Sequence, residues 1–165
     1  MSDARGRLAA CVTGMLMLAT LALVCADLPA PVVSTRKGVK VEATVIRGSK
    51  EGEESVDASL GDTGEQLKKK FGLKRVEVID TTSVIASSGW EVTANLAENL
   101  TLKLRWRALQ KDVANFRVWI ARGKDTLVES QASIKIDSVG FAFGKLDKDM
   151  LILMLKPTLD ASGDD

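Results

Sequence analysis

The chain has 165 residues, a formal net charge of +1, 45% hydrophobic residues, and neither His nor Tyr. Its two cysteines, Cys11 and Cys25, both fall inside the first apolar stretch. If that stretch is removed on export, what remains excludes Cys–His and Ser–His–Asp catalysis, thiolate or imidazole zinc sites, and disulfides.

Arg5 and Arg7 precede an apolar run from Leu8 to Ala26 that is broken only by Thr13, Gly14 and Thr20. A basic start, an apolar centre and small residues at the end predict a secretory signal peptide over residues 1–26, cleaved after Ala26. Two other readings compete. The run approaches the length of a short membrane span, but it is Ala-rich and poor in Ile and Phe. Lipidation at Cys25 would place Val24 where a lipobox carries a smaller residue. Cleavage removes Arg5, Arg7 and Asp3, two of 23 basic and one of 22 acidic residues, so the net charge falls to about zero. No field remains to recruit nucleic acid, and no membrane span is expected after cleavage.

Pro29, Pro31, Ser34 and Gly38 mark residues 27–38 as a linker. Val39, Val41, Ala43 and Val45 then alternate with polar residues and predict a first strand. A charged, Gly-containing loop from Arg47 to Val56 follows. Asp57 is placed to cap a helix whose stripe is Leu60, Gly64, Leu67 and Phe71. Lys68, Lys69 and Lys70 offset the dipole in its last turn, and Gly72 terminates it. Gly61 and Gly64 each cost a helix about 1 kcal/mol relative to Ala, so this one needs docking on a sheet.

Beyond the helix, strands are expected at Lys74–Ile79 and Ser83–Ala86, split by Asp80-Thr81-Thr82. Next come Trp90–Leu96, Leu100–Arg107, a strand around Phe116, Val118 and Ile120, and one from Val128 to Ile136. Val139, Phe141 and Phe143 predict a short strand. The unbroken apolar run Met150–Leu155 predicts one buried on both faces, between a second sheet and the helix. Turn signals at roughly ten-residue intervals indicate an antiparallel meander. The expected fold is mainly β with one helix after the first strand (α+β): an antiparallel β-sandwich or partly open barrel over residues 39–157. Residues 158–165 read as a disordered acidic tail.

Three groups of residues are candidates for chemistry. Lys103, Arg105 and Arg107 share a strand face that Arg117 and Trp119 join from the neighbouring strand. An acidic glycan, a phosphate polymer or an acidic protein would suit that stripe. The alternative is a solvated face on which Glu91 and Glu129 pair with the cations. Glu51, Glu53, Glu54 and Asp57 offer oxygens for Ca²⁺, or simply a solvated loop leading into a helix N-terminus. Asp and Glu in pairs would allow hydrolysis of an extracellular polysaccharide, but they lie mostly at turns and helix ends. Trp90 and Trp106 are in phase with aliphatic neighbours and are expected in the core. Asn99-Leu100-Thr101 is a formal glycosylation sequon. Nothing in the chain calls for a cofactor.

The stretch Val41-Glu42-Ala43-Thr44-Val45-Ile46, followed by Ser49-Lys50-Glu51-Gly52, Val56-Asp57-Ala58-Ser59-Leu60 and Leu67-Lys68-Lys69-Lys70-Phe71-Gly72-Leu73, resembles a group of small exported β-rich proteins of planctomycetes and myxobacteria. Thr126-Leu127-Val128 through Gly144, and Met150 to Leu155, are similar to the last two hairpins and closing strand of that group. Ala58 departs from its usual Pro. The closing pattern is also faintly similar to the C-terminal hairpins of secretins, with the glycines reduced to Gly140 and Gly144. The resemblance implies export and a β-rich fold, and it transfers no functional residue. Together these readings predict an exported, non-enzymatic binding or structural component of the cell envelope, with an envelope protein or polymer as partner and a periplasmic or secreted location.

Overall fold

A computed structural model describes residues 38–160. The predicted signal peptide, the linker up to Lys37 and the tail from Ala161 lie outside the described residues. The described elements are β1 (Val39–Ser49), β2 (Ser55–Val56), a 3-10 turn (Ala58–Leu60) and α1 (Gly61–Phe71). They continue with β3 (Arg75–Ala86), β4 (Glu91–Asn95), a second 3-10 turn (Ala97–Asn99), β5 (Leu100–Gln110) and β6 (Val113–Arg122). The last three strands are β7 (Asp125–Lys135), β8 (Gly140–Leu146) and β9 (Asp149–Leu159).

The strands form two packed sheets, ordered β2-β3-β1-β9-β8 and β4-β5-β6-β7, with no closed barrel. The fold is therefore the expected sandwich with one helix. The four-stranded sheet is the simple meander that the turn spacing predicts. The five-stranded sheet is not. Its central strand is β1, which pairs antiparallel with β3 on one side and with the closing strand β9 on the other, from Val39↔Leu159 to Gly48↔Met150. Its β2 edge is parallel to β3. Local turn signals report hairpins, whereas a first-to-last strand pairing leaves no mark at any turn.

Two apolar clusters hold the sheets. The larger lies between them and is built from inward residues such as Val41, Val45, Leu102, Leu104, Phe116, Val118, Leu153 and Leu155. The smaller covers the outer face of the five-stranded sheet, where Ile46, Val76 and Ile152 meet Leu60 and Leu67 of the helical segment and Leu73 just beyond it. Leu151 and Leu153 belong to the first cluster and Ile152 to the second, so β9 is buried on both faces as its unbroken apolar run predicts. Close approach of α1 depends on Gly64, where a Cβ would come within 2.4 Å of Val56 Cγ1. Asp57 caps the 3-10 turn, accepting from Ser59 N–H, and Gly72 closes α1 in the left-handed conformation at φ 62°.

Several local expectations need correction. The break expected at Asp80–Thr82 is absent. β3 runs through it, and the register shift between Val45 and Ile46 leaves Ile79 as the extra residue of a bulge. The Asp80 carboxylate accepts from Thr81 N–H and from Ala97 N–H, in the 3-10 turn that joins β4 to β5 of the other sheet, both at 2.8 Å. An acid that looked like a turn residue thus ties the sheets together. Trp106 is buried as expected, but Trp90 is 63% exposed. Trp90 precedes the first residue of β4, in a turn where its N–H donates to Ser87 C=O at 3.1 Å, so strand alternation does not govern it. β9 also runs to Leu159, two residues past the expected domain end.

At one corner of the sandwich β8 comes up against β7. A Cβ on Gly144 would fall 2.1 Å from the Leu127 carbonyl oxygen, and one on Gly140 would fall 2.5 Å from Ile134 Cδ1. Because the obstacle at Gly144 is backbone, Gly144→Ala is expected to lower stability by about 1–3 kcal/mol. A reduced urea midpoint checks this; an unchanged midpoint would mean the two strands do not approach this closely.

Candidate functional site

The cationic stripe identified in the sequence lies on the outer face of the four-stranded sheet, away from α1. Three of its charges, Lys103, Arg105 and Arg117, are satisfied by neighbours. Arg105 Nη2 donates to Glu91 Oε2 at 3.2 Å, and Lys103 Nζ lies 4.0 Å from the same carboxylate. Arg117 Nη2 donates to Glu129 Oε1 at 2.6 Å while its guanidinium covers the Trp119 ring at 4.9 Å. The Glu129 carboxyl is held below its ordinary value, first by Arg117 and then by Trp119. Arg107 is set apart from the others by a bulge between Trp106 and Ala108. It lines a separate hollow of about 300 Å³ with Asn115, Gln131 and Ser133. The face is a lattice of cross-strand ion pairs, which is what a solvated antiparallel sheet requires.

The acidic loop disperses. Glu54 pairs with Lys68 at 2.9 Å, an interaction that lowers the carboxyl and raises the ammonium pKa. Asp57 is lowered by the Ser59 hydroxyl, then by the N–H groups of Ser59 and Val78, in its capping role. Glu51 lines a cleft and Glu53 is exposed in the loop. Among the described residues no three acidic groups gather where a metal ion could be held.

A different surface emerges on the outer face of the five-stranded sheet. The corner approach to β7 leaves no room for a side chain at Gly140 and Gly144 on the inner side of β8, which also carries Ala142 and Leu146. Strand alternation then sends Phe141 and Phe143 outward, next to Val139 just ahead of the strand. These three are 37%, 44% and 46% exposed, respectively. Phe143 is tilted against Phe71 of α1 with ring centroids 5.1 Å apart, and Phe141 stacks on Phe143 at 6.3 Å. The helix therefore covers the sheet only as far as the rim of β8 and leaves a groove between them.

That groove has two lobes that share Phe143. The narrow lobe, about 100 Å³, is lined by Leu67, Lys70, Phe71 and Phe141 among others. The wide lobe, about 610 Å³, has Leu73, Met150 and Gly48 on its floor and Lys50, Glu51, Lys145, Asp147, Lys148 and Asp149 at its margin. Gly48 is needed there because a Cβ would lie 2.5 Å from Leu73 Cδ1. Two of the acids are already engaged. Arg122 donates to both oxygens of Asp147, at 3.2 and 2.8 Å. Asp149 lies 3.6 Å from Arg47 Nε, and Arg47 also pairs with Glu77 and Glu98.

The sequence held a signal for this site. In Val139-Gly-Phe-Ala-Phe-Gly the small residues alternate with the large ones, and the ordinary assumption turns the large ones inward. Only the approach of β7 reverses it. Comparison with family models, curated proteins and solved structures found no match to the chain. Among the described residues no helix is long and apolar enough to cross a membrane.

The Asp147 carboxyl is held below its ordinary value, chiefly by Arg122. A lowered folded-state pKa contributes stability that is fully present above the unfolded value of about 4 and lost as pH falls through the folded value. Asp147→Asn is expected to reduce stability at neutral pH and to shrink the loss of stability below about pH 4. Urea midpoints measured across that range check both; parallel curves for the two proteins would contradict the pairing.

Proposed function

We propose that this chain is an exported, non-enzymatic β-sandwich domain that acts by binding, as an accessory or structural component of the cell envelope. The apolar leader with its basic start and the prolines after it support export. The resemblance to exported proteins in the β1-to-α1 stretch and the closing strands points the same way. The observation that carries the binding reading is the row Val139, Phe141 and Phe143, half-exposed apolar side chains placed together beside a cleft. A partner that covers them gains the hydrophobic free energy the fold leaves unused.

Hydrolysis of a polysaccharide draws less support. A glycosidase general acid needs a carboxyl whose pKa is pushed up. The carboxyls with shifted values, Glu54, Asp57, Asp112, Glu129 and Asp147, are all lowered by hydrogen-bonded partners. In the wide lobe, Asp147 and Asp149 are held by arginines.

Fractionation of the native host tests the proposal. The wild-type protein is expected in the envelope fraction with residues 1–26 removed, whereas Phe141→Ser with Phe143→Ser is expected to be exported, folded and released to the soluble fraction. Equal retention of both proteins would overturn the role of this row, and a wild-type protein found in the cytoplasm would overturn export.

A further inference from the structure

Resting on the binding reading, we propose that the groove between α1 and β8 takes a single-chain anionic amphiphile in monomeric form, with its hydrocarbon on Phe143 and Phe71 and its acidic head at Lys145 and Lys148.

The floor of the groove favours a hydrocarbon body. The β8 backbone is engaged in its ladder with β9 on one edge, from Gly140↔Leu155 to Leu146↔Asp149, and its inner face lies against β7. The surface that is offered is ring and thioether: Phe71, Phe141 and Phe143 in one lobe, Phe143 and Met150 in the other. Both lobes share Phe143, whose ring borders each of them.

The dimensions favour one chain over a layer. From Phe141 to Lys145 the strand advances about 14 Å. The narrow lobe, at about 100 Å³, is the smaller of the two and is lined by Leu67, Phe71, Phe141 and Phe143 among others. The apolar residues line a concavity, whereas binding to a membrane surface would need them raised above their surroundings.

Charge sets the polarity of the ligand. Lys50, Lys145 and Lys148 border the wide lobe, and among the described residues none of them takes part in an ion pair. Of the three acids at the margin, Asp147 is paired with Arg122 and Asp149 shares Arg47 with Glu77 and Glu98, which leaves the three unpaired ammonium groups facing Glu51 and a partly compensated Asp149. A carboxylate or phosphate head seated there is attracted at close range, and a cationic head is repelled.

Titration calorimetry on the protein purified from its host, with dodecanoate kept below its micelle concentration, tests the assignment. One equivalent is expected to bind, and dodecyltrimethylammonium is expected not to. Lys145→Glu with Lys148→Glu, both exposed positions, is expected to weaken dodecanoate at least tenfold with an unchanged thermal midpoint. Phe143→Asp is expected to abolish binding. Equal binding of the anionic and cationic amphiphiles would overturn the assignment, as would sedimentation with anionic vesicles in the absence of binding to free dodecanoate. No binding of dodecanoate by a protein whose envelope retention still depends on Phe141 and Phe143 would overturn the ligand class and leave the binding role standing.

Discussion

Strand β8 can close the corner of this sandwich only because two positions on the side it turns toward β7, Gly140 and Gly144, carry no side chain. At Gly144 the Leu127 carbonyl oxygen occupies the place a Cβ would take, and at Gly140 the Ile134 side chain does. Everything specific about the outer face follows from that constraint. The small residues must point inward, so the aromatic ones must point outward, and the helix arrives at their edge without covering them. The constraint is steric and therefore costly to break: a closely packed interior answers even one added methyl group with strain or displacement.

The helix is fixed by an equally simple requirement. Two glycines, Asp62, Thr63 and a length of only eleven residues make α1 a poor helix in isolation. It persists because Leu60, Leu67 and Leu73 meet Ile46, Val76 and Ile152 on the sheet, and because Gly64 lets it settle against Val56. The same docking builds one wall of the groove. Stability and site share residues here: Phe71 closes the apolar stripe of α1 and also packs on Phe143.

Much of the fold was legible in the chain. Period-two alternation located β1, β5 and β6, the Lys-rich last turn and Gly72 located the end of α1, and the run Met150–Leu155 announced a strand buried on both faces. What was hidden was non-local. No turn signal records that β1 pairs with β9, and Asp80 reads as a turn residue until Ala97 N–H is found against it. Lys103, Arg105 and Arg117 lie on one face with Glu91 and Glu129, the pairing the sequence offered as the alternative to a binding surface, while a bulge sets Arg107 apart. The groove was not foreseen. Alternation gives the period of a strand but not its phase, and the phase of β8 is decided by the neighbouring strand, through Ile134 against Gly140 and Leu127 against Gly144.

The outward phase of β8 is the statement on which the site depends, and proton NMR reads it directly. Nuclear Overhauser contacts are expected between the rings of Phe143 and Phe71, and none between either β8 ring and the methyl groups of Val128 or Leu153. Cross-peaks from Phe141 or Phe143 to those two inner residues would place the aromatic side chains between the sheets and contradict the account.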